Sequence, residues 1–141
     1  MTLSQLREYT HLKSDEVYYE IEIHRLEKLK DEKVSYYSSP PLNSAPSGNP
    51  GNVTESLALK NIEYGEKIEK QIKELQSQLE ACRRKLEAID EYIESITDEE
   101  TRSMLKRHIK QRASYNQSAK IFYVSRNYVS RRIRGACDTD R

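Results

Sequence analysis

Residues 68–96 read IEKQIKELQSQLEACRRKLEAIDEYIESI, and the periodicity of this stretch decides the fold. Ile68, Ile72, Leu75, Leu79, Cys82, Leu86, Ile89, Ile93 and Ile96 alternate spacings of four and three without a break. On a helix of 3.6 residues per turn, those spacings stack the apolar side chains into one heptad seam. Glu, Lys, Arg and Gln fill most of the positions between, so the rest of the helix is wettable. A helix of this span is about 45 Å long at roughly 1.5 Å per residue. So narrow a stripe requires a partner helix, and the same heptads serve a partner from this chain or from another copy.

The composition agrees with helices rather than a thick core. Mean hydropathy is −0.92, with 33% charged residues against 35% hydrophobic, enough for helical hairpins and little more. There is no Trp and one Phe against ten Tyr, so the aromatic surface is mostly amphipathic. No run of about 18 apolar residues is present, and no basic-then-apolar leader opens the chain. The expectation is a cytoplasmic protein with no membrane partner. Cys82 lies in the seam and Cys137 near the end, without a CxxC or a His at ligand spacing. No disulfide framework, metal site or cofactor is therefore expected, and Cys82 reads as a small apolar filler.

Upstream of the seam, Thr2 to about Tyr37 reads as helix, opened by a capping box of Thr2 and Gln5. A weak point near Thr10–Ser14 divides it, since Ser14-Asp15 can start a new helix. Tyr19, Ile23, Leu26 and Leu29 then form a looser stripe, widened by Tyr18 and Ile21, that suits the seam as a partner. Residues 38–53, SSPPLNSAPSGNPGNV, hold all four prolines and two of the four glycines. Proline fixes φ and removes donors, so this stretch is expected to be a flexible loop joining two helices, with helix resuming after Asn52.

Beyond the seam the chemistry changes sign. Residues 1–100 carry 13 Lys/Arg and 21 Asp/Glu, whereas residues 101–137 carry 10 Lys/Arg and no acid. Such asymmetry points to a polyanionic partner for the second part. Thr97-Asp98-Glu99-Glu100 marks a fresh helix start, with Thr97 as the expected cap and Glu100 bonding back. Three short helices fit the rest: Asp98 to Lys110, with Met104, Leu105 and Ile109 inward; Ser114 or Tyr115 to Phe122, with Ala119 and Phe122 inward; and Arg126 to about Gly135 after a Ser125 cap, with Val129 and Ile133 inward. A small Ala at the crossing, the short Tyr123-Val124-Ser125 turn and Val four residues after the cap describe a helix-turn-helix.

With Val129 and Ile133 inward, the other face of the last helix carries Arg126, Asn127, Ser130, Arg131 and Arg134. Arg and Asn make bidentate contacts with guanine and adenine edges in the major groove, so these five are the candidate base-reading residues. Candidate phosphate-binding residues are Lys106, Arg107, Lys110, Arg112, Ser114, Tyr115, Gln117, Lys120, Ser125 and Tyr128, which would fix register without reading sequence. At the turn, a position usually held by Gly with φ > 0 is Tyr123. A bulky residue in that conformation costs on the order of 1 kcal/mol, which predicts a differently shaped turn.

The segment SYNQSAKIFYVSRNYVSRRI, residues 114–133, resembles the final helix-turn-helix of sigma-factor region 4. It is more particularly similar to the small phage and prophage regulators of the RinA and ArpU type from Gram-positive bacteria. Their acid-started helix, Ser-aromatic-x-x-x-Ala and Val-Ser-x-x-x-Val match Asp98–Arg112, Ser114–Ala119 and Val124–Val129, with Ser118 standing where an apolar residue is usual. The resemblance implies a transcriptional regulator of phage late genes acting in a bacterial host, with RNA polymerase as a partner.

The expected architecture is all-α: a helical hairpin or coiled coil over residues 1–96, a helix-turn-helix DNA-binding domain over 97–137, and a tail at 138–141. Candidate partners are double-stranded DNA, RNA polymerase and a second copy through the seam 68–96. Two other functions fit the same sequence, a packaging adaptor of the terminase small-subunit kind and a basic protein-interaction module. Catalysis is not expected, because His11, His24 and His108 have no clustered carboxylate or nucleophile and no phosphate-binding Gly loop exists.

Overall fold

In a computed structural model of the chain, residues 1–38 and 50–138 are described, with side chains for 1–32 and 60–138. The protein is all-α: α1 (Leu3–Arg7), α2 (Tyr9–Ser38), α3 (Pro50–Glu94), α4 (Glu99–Lys110), α5 (Tyr115–Phe122) and α6 (Arg126–Gly135). Among the described residues there is no strand, only an isolated bridge between Thr2 and Asp138. The chain forms two compact units, Val17–Glu80 and Met1–Glu16 with Ala81–Arg141, so α2 and α3 contribute residues to both.

The Val17–Glu80 unit is a helix pair. Ile23 and Leu26 of α2 are buried with Ile68, Ile72 and Leu79 of α3, and Tyr19, Leu29, Tyr64 and Leu75 pack against them. The seam thus finds its partner in the looser stripe of the same chain. Beside the cluster, Lys30 pairs with Glu69. The seam residues Ile68, Cys82, Leu86, Ile89 and Ile93 are all at most 5% exposed in the single chain. A second copy joined through 68–96 would have to displace what already covers them.

The other unit holds the helix-turn-helix, and it is larger than the expected 97–137 domain. Leu6 and Ile93 are fully buried in it, as are Met104, Leu105, Val129 and Ile133. Three short helices spanning fewer than about 40 residues cannot enclose a core alone. Here the first helical turns of the chain and the end of α3 complete it. Polar links tie the pieces: Lys106 pairs with Glu94, Lys110 with Asp90 at 2.7 Å, and the Met1 amino group with Asp138 at 2.7 Å. Asp138, counted above with the tail, is thereby anchored, and residues 139–141 lie outside those described. Cys82, buried and not disulfide-bonded, donates its S–H to the Leu12 carbonyl at 3.1 Å, and burial pushes its thiol pKa up.

Helix boundaries bear out some expectations and correct others. The Thr2–Gln5 capping box is present in both halves, at 3.2 Å and 2.9 Å. The break between α1 and α2 falls at Glu8, not at Thr10–Ser14. The Ser14 hydroxyl bonds back to the Thr10 carbonyl at 3.2 Å, which keeps Ser14 inside the helix instead of capping a new one. Residues 39–49 of the expected 38–53 loop lie outside the described residues, but Pro50–Val53 are helical. Proline suits the first helical position, where no N–H is needed and φ is already set, so α3 starts before Asn52. Finally, Asp98 caps α4, accepting from the Thr101 N–H at 3.3 Å and from the Thr101 hydroxyl. A charged acceptor at a helix N-terminus outcompetes the Thr97 hydroxyl expected there.

Candidate nucleic-acid interface

α4, α5 and α6 pack on one another in pairs. α5 begins at a Ser114 cap whose hydroxyl accepts from the Gln117 N–H at 3.1 Å, while the Gln117 side chain accepts from the Ser114 N–H at 2.9 Å. Ala119 is buried as the crossing requires, and beside it Ser118 is 0% exposed. The turn then departs from the sequence expectation. Tyr123 adopts φ 57 and ψ 41, the left-handed conformation that Gly usually supplies. Its side chain is 94% exposed, so the bulk meets nothing. The Val124 N–H closes the turn on the Ala119 carbonyl at 3.0 Å, a helix-ending bond that needs the left-handed residue before it. The turn keeps the Gly-type shape and bears the strain.

Ser125 caps α6 through a 3.1 Å bond from the Tyr128 N–H. Val129 and Ile133 are fully buried, which fixes the rotation of the helix. At 100° per residue, Asn127, Arg131 and Arg134 then lie opposite the buried pair. All three are exposed, as is Arg126 at the first helical position, while Ser130 is partly buried at the edge of the face. None of the three arginines makes an ion pair among the described residues. Arg132 behaves differently: it lies over the Tyr128 ring at 5.1 Å and reaches Asp98 at 3.5 Å. It therefore holds α6 to the start of α4.

The candidate phosphate residues separate into engaged and available groups. Lys106 and Lys110 are paired with Glu94 and Asp90, and Lys110 also lies over the Tyr9 ring at 5.5 Å. The Asp90 hydrogen bond holds the Lys110 ammonium above its usual pKa. Arg107 sits over Phe122 at 5.9 Å. Ser114, Gln117 and Ser125 spend their side chains on helix caps. Arg112 and Lys120 are exposed and carry no ion pair among the described residues.

Tyr115 belongs to a cluster that sequence reading did not assemble. Its ring stacks on His108 with centroids 4.9 Å apart. Arg7, from α1, donates through Nε to His108 Nε2 at 3.2 Å and through Nη2 to the Tyr115 hydroxyl at 3.3 Å. His108 Nδ1 lies 2.9 Å from the Ala113 carbonyl, so it carries the proton and Nε2 is left to accept. Burial, and after it the nearby Arg7 charge, pull the His108 pKa below its usual value. Arg7 lies 101 residues from His108, and no local pattern signals such a contact.

Among the described residues no group of His, Cys, Asp and Glu is arranged to hold a metal ion, and no helix is long and apolar enough to cross a membrane. Comparison with protein-family models, curated proteins and solved structures finds no match to this chain.

Proposed function

We propose that this chain is a sequence-specific DNA-binding transcriptional regulator that lays α6 in the major groove, in the phage or prophage setting implied by its resemblance. One observation carries the reading. The two apolar residues that orient α6 are fully buried, and the side opposite presents Asn127, Arg131 and Arg134, with Arg126 at the helix start, all exposed. Guanidinium and carboxamide groups on an exposed helix after a short turn are the donors that guanine and adenine edges accept. Arginines used only to stabilise the fold would be expected to find acids, as Arg132 does. The acid-free segment 101–137 supplies the attraction that brings phosphates near. A helix pair over Val17–Glu80 gives the regulator a second surface, and RNA polymerase is the partner the sigma-like resemblance suggests for it.

Selection from random-sequence duplexes at two salt concentrations tests the reading, with Arg126→Ala/Arg131→Ala in parallel. The expected result is an enriched motif that the double variant no longer selects. Salt-sensitive binding without a motif would move the protein to phosphate-only contact and favour the packaging adaptor. Absence of duplex binding would remove the DNA reading altogether.

A further inference from the structure

A cleft of about 210 Å³ opens beside the start of α5, lined by Arg7, Thr10, His108, Ile109, Arg112, Ala113 and Ser114. Two guanidiniums line it and no carboxylate does. Among the described residues Arg7 is held by neutral acceptors alone, the His108 imidazole and the Tyr115 hydroxyl. Its position is therefore fixed while its charge stays uncompensated, which is how an anion site is preorganised. Arg112 lies in the turn between α4 and α5 at φ 55, a strained backbone for a non-glycine residue. The Ser114 cap satisfies the Gln117 N–H. The N–H groups of Tyr115 and Asn116, at the first two helical positions, have no partner within the helix. Two guanidinium-bearing residues thus line a cleft at the start of α5, next in sequence to those free donors.

We infer that this cleft is a seat for one phosphate of the DNA backbone, held by Arg7 from α1 together with Arg112 and the first turn of α5. The inference rests on the DNA-binding reading and adds to it a residue from the opposite end of the sequence. In that role the first helix positions the protein on the duplex, and α6 alone reads the bases.

The test uses the full chain with Arg7→Gln and, separately, Arg112→Gln. Arg112 makes no ion pair among the described residues, so its variant probes the cleft without disturbing α1. Thermal melting controls for folding. Each variant is expected to bind about tenfold more weakly to selected and random duplexes alike. Each is also expected to lower the slope of log affinity against log salt by about 0.9, the signature of one lost phosphate contact. A single methylphosphonate linkage at the matching phosphate should abolish the difference between variant and wild type. Unchanged affinity and slope in both variants, with wild type still binding DNA, would overturn the cleft assignment and leave the DNA reading standing. A variant that altered the selected motif would overturn it too, since a phosphate contact carries no base preference. Wild type that bound no duplex would overturn both.

Discussion

The hydroxyl of Tyr92, near the end of α3, donates to the carbonyl of Ala136 at 2.6 Å, and Ala136 is the residue that ends α6. The last carbonyls of a helix have no intrahelical partner, so this bond satisfies a group that would otherwise seek water. Burial is the main reason the Tyr92 hydroxyl titrates above its usual value. The heptad helix thus holds the residue that ends the candidate recognition helix, while the Arg132–Asp98 pair holds its last turn to the start of α4.

Tyr92→Phe should therefore destabilise the protein by about 1 kcal/mol, the typical net worth of such a bond. Chemical denaturation gives the value. Amide exchange localises it: the N–H groups of the last turn of α6 should exchange faster, while those of α5 stay protected. Uniform acceleration through α4, α5 and α6 would show that Tyr92 supports the whole unit.

Ser118 is fully buried, and its hydroxyl has no hydrogen-bond partner among the described residues. Helix-turn-helix sequences usually place an apolar residue there, and a buried hydroxyl without a partner carries its desolvation cost unrepaid. Ser118→Ala removes one oxygen and leaves almost no cavity. The expected outcome is stabilisation of about 1 kcal/mol in the denaturation midpoint, with DNA affinity unchanged. Destabilisation would mean that the hydroxyl has a partner after all.

Tyr123 holds a left-handed turn while its ring stands in solvent. Tyr123→Gly relieves a strain of about 1 kcal/mol, of which part returns as the greater entropy of an unfolded glycine. A net gain of about 0.5 kcal/mol is expected, read as a small rise in melting temperature. Were the ring engaged by DNA, the same variant would bind more weakly despite being more stable, and the two measurements together separate the cases.

What was legible in the sequence was whatever depends on local period and local capping. The seam at Ile68–Ile93, the caps at Thr2 and Ser125, and the inward pair Val129 and Ile133 all follow from spacing along one helix. Misplaced features arose where two local solutions compete on small margins, as between Thr97 and Asp98 for the cap of α4. The turn at Tyr123 keeps the left-handed shape against local preference, because packing of α5 and α6 outweighs a local cost of about 1 kcal/mol. The recruitment of Met1–Glu16 beside α4 and α5 was not legible at all. Arg7 looks like any surface arginine until folding brings His108 and Tyr115 to it. Likewise nothing local in the sequence signals that Lys106 meets Glu94 or that Lys110 meets Asp90.

His108 gives the fold a pH dependence whose sign can be worked out. The half-buried ring donates to the Ala113 carbonyl and accepts from Arg7, an arrangement available only to the neutral imidazole. Its folded-state pKa is depressed, chiefly by burial, whereas in the unfolded chain it returns to about 6.5. The unfolded state therefore takes up the proton first as pH falls. The contribution of His108 is complete above about pH 6.5 and is lost as pH drops through that value toward the folded-state pKa. Melting temperatures at pH 7.5 and 5.5 should show wild type falling over this interval. His108→Phe keeps a ring beside Tyr115 but can neither titrate nor accept from Arg7. It should start lower at pH 7.5 and fall less by pH 5.5. Equal falls in the two proteins would assign the acid sensitivity to other groups. A variant unchanged at pH 7.5 would show that the Ala113 bond and the Arg7 contact together contribute nothing net to stability.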